Sequence, residues 1–271
     1  MPARRALPFA GLLLVLTACS LPGGALSPTA TLTAAPSQAS PEPGDATALP
    51  SIPEEAILIL EPGPGSRLVG SVHIAGIADP TFEQNLGVRL LLDDGSTLVH
   101  TSTLIQAELG QRGPFAVDVP FTITGERNAF IQVFDASARD GGLRHLNSVG
   151  VILAESGPVS INPSSPHPED IYILSPAAGQ IVSGGIVHIE GIGIASFEQT
   201  LVASIVNQDG TTIASLPLIV QAPDWGLPGA FAVDLPFAIA GQQPGRVVVA
   251  DPSVVYDGEV HLASVEVILA P

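Results

Sequence analysis

The residues best suited to chemistry come in pairs. Phe82-Glu83-Gln84 recurs as Phe197-Glu198-Gln199, and "FAVDVPF" at 115–121 recurs as "FAVDLPF" at 231–237. A duplicated glutamate could act as an acid, as a hydrogen-bond acceptor or as a contact for a partner. Glycoside hydrolysis needs two carboxylates facing each other across a substrate cleft, and nothing in the spacing sets a second one against Glu83 or Glu198. The expected role is structural: the glutamate accepts backbone amides in a bend while the adjacent phenylalanine packs beneath it. Partner binding through Glu83 and Glu198 is the alternative. Asp118 and Asp234 sit inside the repeated heptads. If the phenylalanine, valine and leucine at alternate positions face the core, these aspartates face water. Pro120 and Pro236 then remove a ladder donor, which ends the strand or places it at an edge.

Other chemistry finds less support. Asp93, Asp94, Asp135, Asp140, Asp251 and Asp257 offer oxygens, but calcium takes roughly six to eight ligands and no acidic loop is repeated. Copy two has Asn207-Gln208-Asp209 where copy one has Leu92-Asp93-Asp94. His73 and His188 correspond within one strand, His167 lies in a linker, and His100, His145 and His261 fit no ligand motif, so no zinc set is assigned. The chain contains no nucleophile elbow, P-loop or dinucleotide fingerprint. The expectation is a noncatalytic protein without cofactor or metal, with an uncharacterised hydrolase as the last alternative. Trp225 in "APDWGLPG" stands where copy one reads "AELGQRG". An aromatic in a Pro/Gly-rich loop is a candidate anchor for a protein or glycan partner.

The elements that position these residues begin after an export segment. Arg4 and Arg5 precede the apolar run "ALPFAGLLLVL", and "LTAC" closes at Cys19. A basic start, a short apolar core and small residues before a cleavage point make a secretory signal. The run falls short of the ~20 residues of a spanning helix. Leu16-Thr17-Ala18-Cys19 resembles a bacterial lipobox, which implies a signal peptide over 1–18 and lipidation of Cys19. Cys19 is the sole cysteine, so no intrachain disulfide forms, and thioether attachment to lipid gives the lone thiol a reason. The mature protein is expected to be extracytoplasmic and held to the bacterial cell membrane by acyl groups on Cys19.

Charge narrows the partners. The net charge is −17, with 26 acidic residues against nine arginines and no lysine. A nucleic-acid binder needs a basic face, so nucleic acid is not an expected partner. Envelope proteins and glycans remain candidates.

From 19 to 55 the chain is rich in Pro, Ser, Thr, Ala and Gly. Such a segment buries too little apolar surface to offset its ordering entropy, and it reads as a flexible tether. The remainder is duplicated. Between 74–108 and 189–223, 12 of 35 positions are identical without a gap, and between 113–123 and 229–239, eight of 11 are. The repeats are placed at 56–155 and 171–271, with a Pro-rich linker at 156–170 that suits a stiff pair. Each copy reads as strands: "SVHIAGI" alternates, "DDG" and "QDG" mark tight turns, and "NAFIQVFDA" and "LNSVGVIL" continue the pattern. About seven short strands in a copy point to an all-β chain of two tandem immunoglobulin-like β-sandwich domains.

Specific motifs strengthen that expectation. Pro62, Gly65, Val69, Gly76, Phe82 and Glu83 in copy one, and Pro176, Gly179, Val182, Gly191, Phe197 and Glu198 in copy two, follow one pattern. It resembles the immunoglobulin-like domain of bacterial spore germination proteins (Gmad2-like). The resemblance implies a noncatalytic extracytoplasmic module. The expected function is a lipid-anchored envelope interaction or spacer module; a carbohydrate- or peptidoglycan-binding surface lipoprotein is the alternative.

Overall fold

The structure is a computed structural model that describes residues 50–271. The signal peptide, Cys19 and most of the tether lie outside the described residues. Within them the chain is strands and turns, with one 3-10 turn at Phe82–Gln84. No helix among the described residues is long and apolar enough to cross a membrane.

Copy one contains β1 (Ile57–Glu61), β2 (Arg67–Val69), β3 (Ser71–Ala78), β4 (Asn85–Leu92), β5 (Thr97–Leu104), β6 (Gly113–Pro120), β7 (Glu126–Ala136) and β8 (Leu143–Ala154). β1, β3 and β6 pair in one layer, and β5, β4, β7 and β8 pair in the other. The short β2 runs parallel to β8 and links the layers. Copy two repeats the plan with β9 (Ile171–Ser175), β10 (Ile181–Val182), β11 (Ile186–Gly193), β12 (Thr200–Val206), β13 (Thr212–Ile219), β14 (Gly229–Pro236), β15 (Gln243–Pro252) and β16 (Glu259–Leu269). The all-β class is therefore what the alternation and turn chemistry imply.

Alternation explains both cores. In the heptads, Phe115, Val119 and Phe121, and their counterparts Phe231, Leu235 and Phe237, are buried among apolar side chains of their own copy. Asp118 and Asp234 point the other way, into solvent, across from His73 and His188. Among the named strands β6 pairs only with β3 and β14 only with β11, with a single further bridge from Gln221 to Ala230, so both proline-terminated strands are edges. Gly76 and Gly191 let the phenylalanine rings lie against the neighbouring strand. A Cβ at Gly76 would meet the Leu58 carbonyl and stand 2.7 Å from Phe115 Cζ; one at Gly191 would meet the Tyr172 carbonyl and the Phe231 ring.

The copies are joined edge to edge. β8 pairs antiparallel with β16, setting Leu146 opposite Leu262 and His145 opposite Ala263. The four-stranded layers thus continue into one run, β5-β4-β7-β8-β16-β15-β12-β13. Leu146 and Leu262 are equivalent positions of the two copies, so the junction lies on a pseudo-two-fold axis. A third apolar cluster forms there from Phe134, Leu143 and Leu146 of copy one with Val206, Val248, Ala250 and Leu262 of copy two.

The linker reinforces the junction by folding back on copy one. Arg67 and Ser160 exchange backbone hydrogen bonds, and Gly63 donates to the Asn162 carbonyl. The Arg67 guanidinium donates to the Pro158 and Ser156 carbonyls at 2.6 and 2.9 Å.

Candidate functional site

The strand period determines which side chains meet at the junction. In β8 the odd positions Val149, Val151 and Leu153 enter the core of copy one. Successive side chains alternate faces, so Asn147 and His145 point the same way, but beyond the end of that core. There they meet the two segments that enter β1 and β9. These segments cross the pseudo-axis and bind each other reciprocally: Glu55 N donates to the His167 carbonyl at 3.1 Å, and Glu169 N to the Pro53 carbonyl at 2.9 Å. Glu54 bridges Pro168 between them.

The result is a buried cluster of Glu55, His145, Glu169 and His261. Each copy contributes one glutamate, just before its first strand, and one histidine, near the start of its last. Glu55 is fully buried, with Glu169 6% and His261 4% exposed. The two Glu55 oxygens are divided between the histidines: His145 Nε2 lies 2.7 Å from Oε1, and His261 Nε2 lies 3.1 Å from Oε2. Glu169 Oε1 stands 3.5 Å from His145 Nε2 and 3.7 Å from His261 Nε2. The imidazole rings meet edge to face at 5.2 Å.

Backbone amides hold the carboxylates from the opposite copy. Ala56 N donates to Glu169 Oε2 at 2.8 Å, and Asp170 N to Glu55 Oε2 at 3.3 Å. Asn147 Nδ2 donates to the Ile57 carbonyl at 2.8 Å and ties β8 to β1. Glu169 Oε1 and His261 Nδ1 are buried without a hydrogen-bond partner.

The electrostatics separate the two glutamates. Burial opposes ionisation of Glu55 most strongly, but His261 and His145, by charge and hydrogen bond, outweigh it and hold the carboxyl well below its usual range. Burial pushes Glu169 up to about 8, with His145 offsetting part of the rise and Glu55 adding to it. Burial also opposes charging of His261, yet the Glu55 carboxylate raises that imidazole above its ordinary value. One glutamate is thus ionised beside the imidazoles while the other keeps its proton near neutrality. This resolves the repulsion of two carboxylates in one site.

Two further contacts clasp the copies. Asp140, at the turn between β7 and β8, lies 3.4 Å from the buried Arg246 guanidinium of β15. At the equivalent turn of copy two, the Tyr256 ring packs 5.0 Å from Phe130, and its hydroxyl lies 3.0 Å from Gln132 Nε2 of β7.

The sequence-predicted residues lie elsewhere. Glu83 and Glu198 are exposed, and neither motif has its phenylalanine packed beneath it. Phe82 is 57% and Phe197 46% exposed. The buried member of the first motif is Gln84, whose amide donates to the Glu108 and Gln111 carbonyls at 3.0 and 2.9 Å. Positive φ angles of 54° at Glu83 and 55° at Gln84 turn the chain over and send the glutamine inward. Trp225 stands 71% exposed in its loop. Of the acidic residues considered for calcium, Asp93 and Asp94 face Arg127, Asp135 faces Arg144, and Asp251 binds Ser196.

Sequence reasoning set His145 and His261 aside for want of a local motif and assigned Glu55 to the end of the tether. A usable signal was present in the duplication. "LRHLNSVGVILA" at 143–154 and "EVHLASVEVILA" at 259–270 match at eight of 12 positions, the histidine included. Glu55 and Glu169 each stand two residues before an equivalent isoleucine, Ile57 and Ile171.

Comparison with known families bears on copy one. Residues 56–142 match the family model described as the immunoglobulin-like domain of bacterial spore germination. Over these residues the first repeat is similar to this immunoglobulin-like family. The match covers β1 through β7 of the immunoglobulin-like domain, and the second repeat relates to it through the internal duplication. A comparison with curated proteins finds no match. Among solved structures, dimeric latent PorU from Porphyromonas gingivalis aligns at 12% identity and a TM-score of 0.28, over 80% of this chain and 20% of its own. Bovine butyrophilin aligns at 12% identity and a TM-score of 0.21, over 78% of this chain and 97% of its own. The present chain therefore spans a small part of PorU, and neither score supports a functional transfer.

Proposed function

We propose that this chain is a noncatalytic, lipid-anchored cell-envelope interaction or spacer module whose two repeats act as a single stiff element. The observation that carries the reading is the junction. Paired edge strands, a shared apolar cluster and reciprocal hydrogen bonds at 53–55 and 167–169 join the repeats into a continuous sheet. A stiff pair at the end of a tether holds its loops at a fixed separation, which suits a spacer or a two-point contact. The lipobox-like ending at Cys19 supports the anchor, and the family match supports the module. Incorporation of radiolabelled palmitate, lost in Cys19→Ala, is the expected result in the native bacterium. Unchanged soluble secretion of both forms would overturn the anchor. Crosslinking in intact membranes should recover an envelope protein bound to the repeats.

The exposure of Trp225 favours one second reading, a glycan- or peptidoglycan-binding lipoprotein. On that reading Trp225→Ala removes an aromatic anchor contributing about 2 kcal/mol, roughly a 30-fold loss of affinity. A screen of glycans and peptidoglycan fragments that gives no signal with the unaltered protein rejects it.

A further inference from the structure

We infer that Glu55, His145, Glu169 and His261 form a binding site for one divalent transition-metal ion of the zinc class, which staples the two repeats together. The inference is independent of the envelope reading, because it rests on the cluster alone. The donor set is two imidazole nitrogens and two carboxylates, with all four ligand atoms within 4.8 Å of one another. Zinc takes four such ligands at about 2.0–2.2 Å in a tetrahedron, which sets neighbouring donors roughly 3.3 Å apart. Glu169 Oε1 already stands 3.5 and 3.7 Å from the two histidine nitrogens. The Glu55 contacts of 2.7 and 3.1 Å are hydrogen bonds that coordination would replace, after a slight widening.

Three further features favour a metal over a proton network alone. Glu169 Oε1 is aimed between the imidazoles, is buried, and has no hydrogen-bond partner. Each carboxylate is oriented by a backbone amide from the other repeat, Ala56 for Glu169 and Asp170 for Glu55. Outer contacts of this kind hold ligands in place before a metal arrives. A recess of about 230 Å³ reaches His145 and Glu169 beside Ala56, Tyr172 and Ala263, and provides an entry route. With imidazole and carboxylate donors and no thiolate, the set suits zinc, cobalt or iron(II) rather than copper(I).

The test uses the full chain without an affinity tag, carrying Cys19→Ser so that no thiol competes, and stripped of metal by a chelator. Zinc is expected to bind at one equivalent per chain and to release protons as it displaces those on the ligands. Cobalt(II) should give the visible absorption of a four-coordinate site. His145→Gln, His261→Gln and Glu169→Gln should each weaken binding by at least the roughly 10–100-fold that disturbing an outer-shell partner costs, because each removes a ligand itself. His188→Gln removes an exposed histidine outside the cluster and should leave binding unchanged. Glu169→Gln keeps the shape and the acceptor for Ala56 N, so it decides the question even if the histidine variants fail to fold. Absence of saturable zinc or cobalt uptake at micromolar concentration overturns the inference, and so does equal uptake by Glu169→Gln. The cluster would then hold protons only.

Discussion

Glu55→Ala is expected to destabilise the metal-free protein by about 3–5 kcal/mol, the range for removing one partner of a buried ion pair. Glu55 is fully buried and accepts from both His145 and His261. Removing its carboxylate takes away the partner that favours the charged form of the buried His261 imidazole, and leaves Glu169, whose ionisation burial opposes, as the remaining carboxyl group beside it. The lost hydrogen bonds to His145 and His261 are not replaced. That loss takes a large share of a stability that is ordinarily about 5–15 kcal/mol. Urea unfolding of the alanine variant measures the loss. Glu55→Gln, which keeps an acceptor and the side-chain volume, should lose less. Adding His261→Gln to Glu55→Ala should recover part of the deficit, because the uncompensated imidazole is removed as well. A fully additive double variant would show that Glu55 acts by packing rather than by charge.

The contrast between what was legible and what was not follows from sequence distance. The heptads were readable because a strand's period is local: Phe115 and Val119 inward, Asp118 outward and Pro120 last describe a half-buried edge strand. Family motifs at Pro62, Gly65 and Gly76 were readable for the same reason, since turns and close approaches impose residue types over short spans. The cluster is otherwise. Its members stand at 55, 145, 169 and 261, and only the pairing of β8 with β16 brings them together. No local spacing encodes a meeting across a pseudo-axis. It appears in sequence only as equivalent residues in two copies, a pattern easily read as conserved scaffold. The Phe-Glu-Gln motif misled in the opposite direction. Its residues are adjacent and duplicated, but the left-handed backbone at Glu83 and Gln84 inverts which of them is buried.

The same pseudo-axis makes cooperativity the sharpest test of the architecture. The unaltered protein should unfold in one urea transition, with peptides from both repeats losing hydrogen-exchange protection together. Leu146→Asp should break that unity. Leu146 is fully buried opposite Leu262 and belongs to the cluster shared by Phe134, Val206 and Val248. Truncating such a leucine to alanine costs about 2–5 kcal/mol, and aspartate adds the penalty of an unpaired buried carboxylate. The side chain faces away from both repeat cores, since Val149 and Val151 lie at odd positions and Leu146 at an even one. The damage is therefore directed at the junction while each core keeps its own apolar cluster. Two separated transitions, each tracked by exchange in one repeat, are the expected result. A Leu146→Asp protein that still unfolds in a single transition at an unchanged midpoint would mean that the copies are not coupled through β8 and β16.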